Sequence, residues 1–140
     1  MDWTVIEQKL ESLRRSIRRV EDKCPESIEA LVNDYDAQDI LTLNLTRAVQ
    51  LCVDIGTHVV GSLEYPPPDT MGKTFDLLSQ AGIISIDLAS RMKKAVGFRN
   101  IAVHNYEAVN WAIVFAVSRE HLQDFEEFAK AVISRHGQEL

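Results

Sequence analysis

Arg99, Asn100, His104 and Tyr106 are the residues whose types and spacing could do chemistry together. An arginine stays cationic at any working pH, and an imidazole exchanges its proton near neutrality. A fixed positive charge beside a proton carrier is what metal-free phosphodiester cleavage requires. The guanidinium would hold the charge that builds on phosphorus, and the imidazole would take or give a proton as a 2′-hydroxyl attacks. Asn100 is placed to orient the arginine or the phosphate. Geometry adds a condition. On an ideal helix five residues turn through about 500°, which leaves Arg99 and His104 about 140° apart. Either the helix ends near Gly97 to Asn100 and the chain bends back, or a second copy supplies the missing partner across a two-fold axis.

The elements that must position these residues are all helical. Ile6, Leu10, Leu13, Ile17 and Val20 step by four and three, which predicts an amphipathic helix from Trp3 to about Lys23. Arg14, Arg15, Arg18 and Arg19 lie off that stripe. With Glu7, Glu11, Glu21 and Asp22 at intrahelical pairing distances, a solvated, salt-bridged face is the expectation, ahead of a phosphate contact. Pro25 separates this helix from a short connector over Glu26 to about Asn33. The longest candidate runs from about Ala37 to Glu64, with Leu41, Leu45, Ala48, Cys52, Ile55 and Val59 inward. A polar strip of Arg47, Gln50, Asp54 and His58 follows the same period. It reads either as an exposed face with an Asp54–His58 pair or as one wall of a groove.

Tyr65 to Asp69, with three prolines, is a stop, and Asp69 or Thr70 caps the next helix, from about Met71 to Gln80. Ala81-Gly82 closes it, and Ser85 with Asp87 opens a helix carrying Leu88, Met92, Ala95 and Val96 inward. Arg91, Lys93, Lys94 and Arg99 make its second half locally cationic, which ordinary dipole compensation also explains. One last helix is predicted from about Asn110 to Ser134, with Arg135 to Leu140 a frayed tail. Short connections between such helices predict an all-α antiparallel bundle of four to five helices, one domain over residues 1–140.

Fifteen Lys and Arg against 21 Asp and Glu leave a net charge of −6, which argues against a general nucleic-acid binder that relies on a long-range positive field. Two cysteines, Cys24 and Cys52, are too few for a disulfide framework, and no Cys/His spacing matches a zinc site, so neither metal nor cofactor is expected. No run approaches the roughly 18 apolar residues of a membrane span. The expected compartment is the cytoplasm.

Arg99, four intervening residues, His104, one more residue and Tyr106 resemble the Arg-x4-His-x-Tyr signature of HEPN proteins, most closely the HepT toxins paired with an MntA-like nucleotidyltransferase antitoxin. The likeness extends through Arg47-Ala48, Cys52, Asp54 and His58, the prolines Pro66 to Pro68, and the run from Phe75 to Asn100. It implies a HEPN-fold homodimer with paired motifs facing one groove. It also implies a ribonuclease acting on tRNA or mRNA through Arg99 and His104, and silenced when the antitoxin adds AMP to Tyr106. The other reading is a non-catalytic subunit holding substrate or partner for that nucleotidyltransferase. A third is a purely structural helical dimer.

Overall fold

The structure, a computed structural model, describes residues 2–139, with side chains through residue 137. Seven helices follow in order: α1 (Trp3–Lys23), α2 (Ile28–Val32), α3 (Tyr35–Gly61), α4 (Met71–Gln80), α5 (Ile86–His104), α6 (Trp111–Glu120) and α7 (Gln123–Glu139). A single 3-10 turn, Tyr106–Ala108, joins α5 to α6, and no strand occurs among the described residues. Local chemistry sets the starts. Asp2, Ser27, Asp34, Thr70, Ser85 and Asn110 precede α1 to α6, and each side chain accepts a hydrogen bond from a backbone N–H of the first turn that lacks a partner within the helix. Gly82, at φ +76°, follows α4 in the left-handed region that a residue without Cβ adopts freely.

α3 is the axis of the bundle. α1 lies along it, α4 and α5 pack on its other flanks, and α2, α6 and α7 also touch it. Leu41, Leu45, Ala48, Cys52, Ile55 and Val59 of α3 are buried in one cluster with Ile6, Leu13, Ile17 and Val20 of α1, while Leu10 is half-buried against it. Phe75 of α4 meets Phe128 of α7 edge to face, ring centroids 5.8 Å apart. Cys24 and Cys52 are free thiols.

Three expectations change. The single last helix is two, because the chain turns at His121 (φ −122°, ψ 11°) and restarts at Gln123. The turn sends α6 against α2 and α7 against α5. The helix α7 then continues to Glu139 where a frayed tail is expected. His136 stacks on Trp3 of α1 with ring centroids 3.8 Å apart and planes 2° apart; Leu140 lies outside the described residues. Finally, the cationic stretch of α5 is largely spent on its neighbours. Arg91 pairs with Asp124 and Glu127 of α7, and Lys93 Nζ lies 3.0 Å from Asp76 of α4.

Among the glycines, Gly56 stands closest to a neighbouring helix. A Cβ there would stand 2.7 Å from Thr74 Cγ2 and 3.1 Å from Leu78 Cδ1, whereas one at Gly61 would meet nothing within 4 Å. Urea unfolding should therefore show Gly56→Val destabilised by about 1–3 kcal/mol through overpacking. Gly61→Ala should be neutral or stabilised by up to about 1 kcal/mol.

Candidate active site

The helix α5 does not end at Gly97 to Asn100. Its backbone ladder runs through Arg99 to His104, and Asn105 closes it by donating its N–H to the Ile101 carbonyl at 2.8 Å. Of the two ways to bring Arg99 and His104 to one phosphate, a bend before the histidine is thereby excluded. Arg99 is half-buried, and its Nε is buried without a hydrogen-bond partner among the described residues. Its Nη1 donates to Asn100 Oδ1 at 3.1 Å. Asn100 precedes His104 by one helical turn on the same face, so its amide oxygen draws the guanidinium toward the histidine side. His104 itself is exposed on the last turn.

Tyr106 follows in the 3-10 turn, 40% exposed, with its ring 5.9 Å from Trp111 of α6 in an edge-on contact. Its hydroxyl donates to Asp39 Oδ1 on α3 at 2.6 Å. Partial burial, then the hydrogen bond and negative charge of Asp39, push the phenol up to about 12. Asp39 carries no local motif. It is an exposed acid 67 residues from its partner, and only the helical step Asp39, Leu43, Arg47 hinted that it shares a face with the polar strip.

That strip does not stay together. Arg47, Gln50 and Asp54 line a groove of about 690 Å³ between α1 and α3, opposite Arg15, Arg18 and Arg19. Gln50 donates to Asp54 at 2.9 Å, and Lys9 lies 3.8 Å from the same carboxylate. His58 accepts from the Asp2 N–H at 3.3 Å and lines a second recess together with Lys9 and Asp54, but no hydrogen bond or ion pair joins Asp54 to His58 among the described residues. At about 1.5 Å of rise per residue, Arg47 lies about 12 Å along α3 from Asp39, Asp54 about 22 Å, and His58 about 28 Å. Arg99, Asn100, His104 and Tyr106 thus lie together at the end of α5, Asp39 meets them through Tyr106, and Arg47, Asp54 and His58 stand successively farther along α3.

The salt-bridged α1 face is only partly realised. Arg14 pairs with Glu11 at 3.5 Å and Arg15 donates to Ser12, while Arg18, Arg19 and Arg47 form no ion pair among the described residues. Four guanidiniums therefore line one groove of a chain whose net charge is −6. No cluster of three or more His, Cys, Asp or Glu side chains arranged to hold a metal occurs among the described residues. No described helix is long and apolar enough to cross a membrane.

An all-α bundle presenting Arg-x4-His-x-Tyr at the exposed end of its fifth helix defines a HEPN-class protein. Residues 3–132 match the model of the family described as Ribonuclease HepT-like, and the chain belongs to that family. It is similar to the mRNA nuclease HepT of Shewanella oneidensis, 34% identical over 128 residues that cover 91% of this chain and 96% of that protein. The tRNA nuclease HepT of Aphanizomenon flos-aquae is 24% identical over 130 residues, covering 93% and 88%. Among solved structures, the tri-AMPylated Shewanella oneidensis HEPN toxin in complex with its MNT antitoxin superposes with a TM-score of 0.88. The two are 34% identical, over 93% of this chain and 97% of that one.

The Tyr106–Asp39 contact has a measurable signature. The folded chain holds the phenolic proton more tightly than the unfolded chain does, so the contact is complete below the ordinary tyrosine range near about 10. It is lost as pH rises through about 12. Ultraviolet titration of phenolate absorbance, compared with Tyr106→Phe, should place the missing step near that upper value, and Asp39→Asn should bring it down toward the ordinary range.

Proposed function

We propose that this chain is the ribonuclease toxin of a toxin–antitoxin pair, a cytoplasmic homodimer that cleaves mRNA or tRNA without a metal. A separately encoded MntA-like nucleotidyltransferase silences it by adding AMP to Tyr106. The observation that carries the reading is the unbroken helix through Arg99 and His104, with Asn100 directing the guanidinium. Helical pitch keeps the two side chains of one copy apart, so the competent site pairs Arg99 of one copy with His104 of the other.

The surface around the motif suits such pairing. Leu43 on α3, Ile101 and Val103 within the motif, and Ile113 at the start of α6 are each about half exposed. Apolar side chains gathered around a polar site give a two-fold interface something to bury. With RNA bound, His104 accepts the proton of the attacking 2′-hydroxyl or returns one to the leaving 5′-oxygen. Arg99 holds the charge that grows on the phosphorane. The products are a cyclic phosphate and a 5′-hydroxyl. Arg47, with Arg15, Arg18 and Arg19, offers flanking phosphates a local positive track that the net charge conceals.

Unmodified protein in EDTA, its mass verified, should cleave tRNA or a model mRNA to cyclic-phosphate ends. His104→Ala and Arg99→Ala should each lose about 100-fold or more. Mixing the two inactive variants and allowing subunits to exchange should restore about one quarter of wild-type activity, since half the dimers are mixed and each contains one complete site. A site complete within one chain gives no rescue. No cleavage by adduct-free wild-type protein would move the assignment to a non-catalytic partner of the nucleotidyltransferase.

A further inference from the structure

A phenol is a weak nucleophile until its proton leaves, and the surroundings of Tyr106 hold that proton unusually well. Attack by this oxygen at neutral pH therefore requires a base that removes the proton as the new bond forms. One carboxylate is already in place. Asp39 Oδ1 receives the Tyr106 O–H at 2.6 Å, and both side chains are exposed, so a second reactant can reach the oxygen.

We propose that Asp39 is the proton acceptor for nucleotidyl transfer to Tyr106, so that the modified protein supplies the base for its own modification. The proposal rests on the reading of Tyr106 as the acceptor. The co-reactant is a nucleoside triphosphate brought by the transferase. A lone pair on the Tyr106 oxygen forms a bond to the α-phosphorus, and the bond from that phosphorus to the oxygen bridging the β-phosphate breaks. Its electron pair leaves with pyrophosphate. The phenolic proton passes to Asp39 Oδ1 and from there to solvent.

The other ionisable groups nearest the pair along its own elements are Asp34, Tyr35 and Asp36 at the start of α3, Arg99 and His104 on α5, and Glu107 in the turn. Trp111 covers the ring from α6, and among the described residues no Lys or Arg forms an ion pair with Asp39. His104 and Glu107 are close enough in sequence to affect a pH profile. They do so alike in wild type and in an Asp39 variant, so the ratio of the two rates isolates Asp39.

The experiment measures initial rates of adduct formation by intact mass, with the purified transferase and ATP, from about pH 6 to about pH 10, a range over which the demand for a general base changes. Asp39→Asn keeps an oxygen that accepts from the phenol but does not take its proton. Its rate should fall about 100-fold or more near neutrality, and its ratio to wild type should climb about tenfold per pH unit as hydroxide replaces the carboxylate. Asp39→Glu should recover much of the loss. A full rate in Asp39→Asn, or a loss of the same size at every pH, overturns the assignment and leaves Asp39 as a positioning contact. The Tyr106→Phe protein separates the two readings. If it takes the adduct at the wild-type rate, Tyr106 is not the acceptor and the role of Asp39 falls with it. If it takes none while Asp39→Asn reacts normally, only Asp39 is eliminated.

Discussion

Backbone hydrogen bonding carries α5 without interruption from Ile86 to His104, and a helix does not turn two side chains five residues apart toward one point. That constraint organises the rest of the site. It leaves Arg99 half-buried on the bundle side and His104 exposed on the last turn. It gives Asn100, which shares the histidine face, the task of drawing the guanidinium round. In the proposed dimer each motif is then half of a site, and the mate across the two-fold presents the other half.

The charge distribution follows a similar division of labour. A chain of net charge −6 is poorly suited to gathering polyanions from a distance, and several of its basic residues are committed to ion pairs within the fold. Arg91 and Lys93, prominent in the sequence, hold α5 to α7 and α4. Arg15, Arg18, Arg19 and Arg47, which form no ion pair among the described residues, line one groove between α1 and α3. Affinity for an anion would thus be short-ranged and confined to one face, which favours selectivity over capture rate.

What the sequence made legible was the information carried by local rules. Thr70 and Ser85, legible as caps, do cap α4 and α5, and the apolar steps name the buried faces of α1 and α3. The turn at His121 escaped because Val114, Leu122, Phe125, Phe128 and Val132 keep one helical period across it, so the pattern does not register the bend. The polar strip on α3 misled for a related reason. Its spacing aligned Asp54 with His58, but Gln50 and the Asp2 N–H compete for them, and those partners depend on rotamers and on packing against α1. The family resemblance supplied roles for Arg99, His104 and Tyr106. Asp39, distant in sequence and unremarkable in composition, became visible only when α3 was laid against the end of α5.

The hydroxyl of Tyr106 is also a fastener. It is the side-chain tie between α3 and the turn that follows His104, and it holds because a hydrogen-bearing oxygen faces a carboxylate. Esterify that oxygen and the tie is lost whatever the attached group, since an ester oxygen has no proton to donate. If the group is a phosphate, a second negative charge comes to rest beside Asp39, and attraction becomes repulsion. A modification at this atom would therefore act twice, adding bulk and charge two residues from the histidine and unfastening the turn that follows it from α3.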